Sequence, residues 1–289
     1  MFTNLARGSS DVSHRSTKPL TKPLTRPLTR GGLRGRRALK RFLYAQLALR
    51  QAVMIALGRE QPLVPFTVEA DPPSVYFVYR IRPEVVEQLG DLLGLPPHLR
   101  STPIRCLVDD EPAHLLTLNV YRVSGLASGL RAEWSLFVGD ASGIPRYLVF
   151  DARTSQVSMD PVDIITRASP VAHERRGSVI TTRVGEGAGA FAATIEMPPG
   201  DGAPRVSPAP EWAIANDFIY WGNGICDRTY YDAGMVDPRK RKVPASAFTV
   251  EDGTPWAGLV EPEPEHVLVF EDAIELVISP WENLDRLEP

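Results

Sequence analysis

The chain has 289 residues, 43% of them hydrophobic, and a net charge of −3. That length supports one large domain or two small ones with a sizeable core, and all-β domains often run this long. Two cysteines, Cys106 and Cys226, exclude a disulfide framework and a cysteine-rich zinc site.

The first 45 residues hold eleven of the 32 Lys and Arg and one of the 35 Asp and Glu, leaving 21 basic against 34 acidic side chains in the remainder. Such asymmetry gives the two parts different partners. Within 1–34 a four-residue unit repeats: Thr-Lys-Pro-Leu twice, Thr-Arg-Pro-Leu, then Thr-Arg-Gly-Gly. A proline every fourth residue excludes a helix, and little apolar surface is available to offset ordering, so 1–34 reads as a disordered basic tail. Three roles stay open: a solvated leader, a contact to an anionic surface such as a membrane, or an address read by another protein. No specific nucleic-acid partner is expected. Residues 35–58 read as a basic amphipathic helix, with Ala38, Phe42, Ala45, Leu49 and Val53 on one face and Gly58 as its stop. It either docks on the body or lies on a membrane surface. The stretch 42–57 carries Arg50 and is too short to span a bilayer. No leader-like apolar segment with a cleavage site is visible, and the expected localisation is cytoplasmic.

Residues 62–289 form the body, whose 22 Gly and 27 Pro across the chain suit short strands and turns. Aromatic and β-branched runs predict strands at 75–80, 103–108, 114–123, 132–138 and 146–151. Helical spacing marks 83–94, stopped by Gly94, and 160–168, capped by Asp160. A hairpin is expected over 178–184 and 189–197. Residues 198–210 read as a long surface loop and the one plausible internal boundary. Strands follow at 218–221, 226–231, 247–250, 266–270 and 274–278. The fold class is mainly β (α+β), either a barrel or a sandwich.

The segment VYFVYRIRPEVVEQL (75–89) resembles an early strand and helix of the acetoacetate decarboxylases. GLRAEW (129–134) resembles the Gly-x-Tyr-x-Glu strand of that family, with Arg131 in place of the tyrosine and Glu133 on the family's active-site glutamate. RYLVFD (146–151), IYWGNGICDRTYY (219–231) and HVLVFEDAIELVI (266–278) resemble later strands. The resemblance implies an antiparallel β-barrel with a few short helices, assembled as a homo-oligomer, that takes a small keto or carboxylic acid. It also marks a departure. The family carries Gly-Arg-Glu and then Pro-Lys-Lys, and one lysine forms a Schiff base. The matching segment, 158–174, has no lysine. The five lysines are Lys18, Lys22, Lys40, Lys240 and Lys242; the last two sit in a PRKRK run (238–242) that reads as solvated. Arginine stays protonated and cannot attack a carbonyl. An imine at the family's position is therefore not expected, and Lys240 or Lys242 is the remaining route.

Glu133 and Arg131 alternate across Ala132 and share one strand face. As catalytic candidates, Arg131 holds a carboxylate while Glu133 acts as acid or base; the competing reading is a structural ion pair. Tyr121, Arg146, Tyr147 and His173 are ligand-binding candidates, each with a plain structural alternative as a strand or loop residue. The five histidines are scattered and show no metal-ligand spacing, so no metal and no cofactor are expected, although distant ligands can still converge. Three functions remain: an enzyme, lyase-like or isomerase-like, acting without an imine; a non-catalytic ligand-binding relative; and an assembly protein working through its basic tail.

Overall fold

A computed structural model describes residues 66–283, except 96, 98, 126–128, 140–144, 156–168, 201, 210–216, 223–224, 234–239 and 279–281. The basic tail (1–34), the helix expected at 35–58 and the helix expected at 160–168 lie outside the described residues. Among those described, strands dominate. In chain order they are β1 (Phe66–Arg80), β2 (Arg100–Ser101), β3 (Leu115–Gly125), β4 (Gly129–Gly139), β5 (Pro145–Thr154), β6 (Val171–Arg176), β7 (Val179–Val184), β8 (Phe191–Glu196), β9 (Asp217–Gly222), β10 (Ile225–Ala233), β11 (Lys240–Val243), β12 (Phe248–Asp252), β13 (His266–Phe270), β14 (Ile274–Ile278) and β15 (Glu282–Asn283).

They form two sheets. The larger runs β11-β13-β1-β14-β10-β9-β5-β4-β2, with β15 on β10 and with β3 paired to both β1 and β4. The smaller runs β12-β8-β7-β6. The pairing is antiparallel except for β5 against β9, which is parallel and departs from the all-antiparallel expectation. β1 pairs β3 along one edge; its other edge takes β14 at 66–70 and β13 at 74–78.

Side chains alternate across the large sheet as strand geometry requires. On one face, Val75, Phe77, Leu116, Leu118, Ala132, Trp134 and Leu136 meet Ile180, Phe191 and Ile195 of the small sheet. Phe77 and Phe191 pack edge to face at 4.9 Å. On the other face, Val78, Tyr121, Phe137, Tyr147, Val149, Leu268 and Phe270 join Ile104, Cys106 and Leu107 in a second cluster. Strands far apart in the sheet order share that cluster, so the sheet bends around it.

Several expectations are corrected. The helix at 83–94 is two short pieces, α1 (Pro83–Val86) and α2 (Leu89–Leu93). The Gln88 side chain donates to the Glu84 carbonyl at 3.0 Å, taking the acceptor a continuous helix would use, and Gln88 N turns back to Val85 O at 2.9 Å. Gly94 is the stop as read, at φ 64, where a residue with a Cβ is strained. No strand forms at 103–108; Ile104 bridges Ala113, Leu107 bridges Pro208, and the rest is loop. β6 and β11 are strands that the sequence pattern did not mark. The 198–210 segment is partly interior: Ala203 and Ala209 are 0% exposed, and Ala209 N donates to Cys106 O at 2.9 Å. No helix among the described residues is long and apolar enough to cross a membrane.

Candidate functional site

β3 and β4 each place apolar residues on the sandwich face and polar ones on the other. Across the pair, Thr117 faces Ser135, Asn119 faces Glu133 and Tyr121 faces Arg131. β5 adds Tyr147 opposite Phe137, and Thr154 opposite Arg131, past a register shift at Trp134/Ser135. Arg131, Glu133 and Ser135 thus share one face with Thr117, Asn119 and Tyr147.

All of these side chains are buried. Arg131 and Glu133 are each 4% exposed, and Arg131 Nε donates to Glu133 Oε1 at 2.5 Å. Two residues apart on one strand, they need only the local pleat to meet. Removing two charges from water costs several kcal/mol per ion, and replacing a buried pair by apolar residues of similar volume is often neutral or stabilising, so the pair is weak as a stability device. Beside it, the Tyr147 hydroxyl lies 2.5 Å from Thr117 Oγ1 and accepts from Asn119 Nδ2. Burial pushes the Tyr147 phenol up to about 12, partly offset by its hydrogen bonds with Thr117 and Asn119. The phenol stays protonated at neutral pH and has a proton to donate. Asn119 Oδ1 is buried without a hydrogen-bond partner among the described residues, so the cluster carries an uncommitted acceptor.

Of the residues marked from sequence, Arg131, Glu133, Tyr121 and Tyr147 come together. Two do not. Arg146 pairs with Val138, whose side chain is in the sandwich core, so it lies on the opposite face from Tyr147. His173 is neither a pocket residue nor an exposed loop residue. It sits on β6, 5% exposed, between Thr182 Oγ1 (2.8 Å) and the Pro73 carbonyl (2.7 Å). Burial lowers its pKa below the ordinary 6.5, and its role is to tie the small sheet to β1. Thr117, Asn119 and Ser135 were missed. Their signal was present: LLTLNVY and EWSLF alternate polar and apolar residues at period two.

The lysine expectation is corrected most. Lys240 is not solvated: it lies on β11, 8% exposed, with Nζ 5.8 Å from the centre of the Phe270 ring. The folded body therefore does contain a buried amine. Lys242, on the same edge strand, is half-buried. Lys240 pairs with Phe270, and Phe270 with Ser74 of β1. From there β3 intervenes before Arg131 on β4, so the Lys240 backbone stands four strand spacings away, about 19 Å along the sheet.

No protein-family model matches this chain, and no curated protein matches it. Among solved structures, the chain is similar to an acetoacetate decarboxylase-like enzyme from Sphingomonas wittichii RW1, at 11% identity and a TM-score of 0.48, over 75% of this chain and 91% of that one. A likeness at that level does not carry an activity or a residue's role across.

Proposed function

We propose that the polar face of β3, β4 and β5 binds a small carboxylic or keto acid, and that Glu133 serves as an acid or base toward it without an imine. The observation that carries this is the buried Arg131–Glu133 pair beside the Tyr147, Thr117 and Asn119 hydroxyl and amide groups. A guanidinium offers five N–H donors in a fork that fits a carboxylate. A neutral phenol donates to a carbonyl oxygen, and Glu133, freed from Arg131 as the ligand enters, exchanges a proton at the carbon beside it. Closure of the large sheet into a barrel is part of the reading. The pairings β1-β14-β10-β9-β5-β4-β3 lead back to β1, as a barrel requires.

Calorimetric titration of the intact protein with acetate, pyruvate and acetoacetate tests it. Saturable binding of one of these, weakened at least ~10-fold by Arg131→Met, is the expected result. No binding by the unaltered protein, or binding indifferent to Arg131→Met, overturns it.

The burial of Lys240 favours a second reading, in which its amine condenses with a keto acid, releasing water. Borohydride reduction in the presence of pyruvate decides: a covalent adduct on Lys240 replaces the first reading, and its absence leaves Glu133 as the reactive group. The non-catalytic alternative is an assembly protein, a homo-oligomer whose basic tail (1–34) contacts an anionic surface. Its signature is vesicle binding lost on deleting that segment, with carboxylate binding absent.

A further inference from the structure

Apart from the Arg131–Glu133 pair, three chemistry-bearing residues distant in sequence meet at the start of β13. Cys106 and Asp110 come from the loop between β2 and β3, and His266 opens β13. One donor atom from each lies within 4.8 Å of the others. Cys106 and His266 are 2% and 4% exposed, and the Asp110 side chain 16%.

The loop is built to hold them. Ile104 and Ala113 exchange backbone hydrogen bonds, and Asp110 N donates to Leu107 O at 3.1 Å. The Asp110 carboxylate in turn accepts from Leu107 N at 2.7 Å, and the same oxygen lies 2.7 Å from His266 Nε2. His266 Nδ1 is buried with no partner among the described residues. An ion that takes both His266 Nε2 and Asp110 Oδ2 replaces the proton between them, which moves to Nδ1 or to solvent.

We propose that Cys106, His266 and Asp110 bind a divalent transition-metal ion of the zinc class. Thiolate, imidazole and carboxylate are the donors such an ion takes, at about 2.0–2.3 Å. Donors around a tetrahedral ion stand about 3.3–3.8 Å apart, so the His266–Asp110 contact at 2.7 Å opens to admit the ion. Lys240 and Lys242 lie within electrostatic reach of Cys106, beside Asp110 and Glu265. The ion is therefore held by coordination and not by a general negative field, which selects zinc, cobalt or nickel over calcium and magnesium. The Cys106 thiol gives up its proton to solvent as the metal–sulfur bond forms. Dication, thiolate and carboxylate then sum to no net charge, which suits a buried site. Three protein ligands leave one position for water or a small ligand. The bound ion also clamps the 102–114 loop onto β13.

The test uses the full chain loaded with zinc or cobalt and then dialysed. The expected result is about one metal per chain and a thiolate-to-cobalt charge-transfer band in the near ultraviolet. Cys106→Ser removes the band, Asp110→Asn weakens cobalt binding ~10-fold or more, and Cys226→Ser changes neither. Asp110 is partly exposed, so its variant carries the test if Cys106→Ser does not fold. Substoichiometric metal in the unaltered protein, a band that survives Cys106→Ser, or cobalt binding unchanged by Asp110→Asn overturns the site. Arg131→Met retains the metal, which keeps this outcome separate from the carboxylate reading.

Discussion

The two faces of the large sheet differ in what they ask of their side chains. The face toward the small sheet is mostly hydrocarbon, and the buried His173 that β6 brings to it has both ring nitrogens engaged. The opposite face buries an ion pair, a phenol, an amide and hydroxyls among apolar neighbours. A sheet needs one well-packed face to fold, and the sandwich supplies it. The polar face is then free to hold groups that stability alone does not favour, which is how rigid scaffolds carry sites.

That contrast is open to breakage. The largest effect is expected from Phe77→Ala in the sandwich, which removes a fully buried ring and its edge contact with Phe191. A loss of about 3–5 kcal/mol in urea denaturation is expected; a change under about 1 kcal/mol would mean that the sandwich is not the stabilising face. On the polar face, Glu133→Leu alone leaves a buried guanidinium without its carboxylate and destabilises by about 3–5 kcal/mol. Adding Arg131→Met restores stability or exceeds it while abolishing carboxylate binding, so the same titration and denaturation curves separate the roles of the two faces. If the double variant is no more stable than Glu133→Leu, the pair is structural. Tyr147→Phe strands the Asn119 amide and the Thr117 hydroxyl and costs about 1–3 kcal/mol.

The smallest effect sharpens the comparison through pH. His173 titrates below 6.5 in the folded protein, because burial disfavours its charged form. The unfolded chain therefore binds more protons as pH falls below 6.5, and stability is lost toward the folded pKa, by at most about 1.4 kcal/mol per pH unit. Asp151 opposes this. Burial raises its carboxyl above 3.8, so its contribution is fully present below 3.8 and is lost as pH rises through the folded value. His173→Gln flattens the decline between pH 7 and 5 if the histidine is responsible; an unaltered slope assigns it elsewhere, with half-buried His114, also shifted down by burial, the next group to change.

Much of the strand order was legible because alternation is local. β3, β4, β5, β7, β8, β13 and β14 follow runs of β-branched and aromatic residues, and Arg131 with Glu133 could be placed on one face by counting residues. What was hidden depends on distant partners. KRKV has no apolar alternation, and β11 forms because β13 offers an edge to it. Lys240 is buried beside Phe270, its pairing partner thirty residues on, with the ammonium over that ring. HERR reads as a solvated loop, yet His173 finds the Pro73 carbonyl a hundred residues back. The metal-ligand group spans Cys106 to His266, and no spacing rule reaches across that interval.

β1 takes partners from both ends of the body: β3 on one side, β13 and β14 on the other. During synthesis, half of its backbone donors and acceptors have nothing to meet until residues 266–278 have left the ribosome. The body then folds after translation and slowly, since its decisive contacts join segments some two hundred positions apart. Until then the first strand is an exposed edge, and a nascent chain stalled before residue 266 is a natural client for a chaperone.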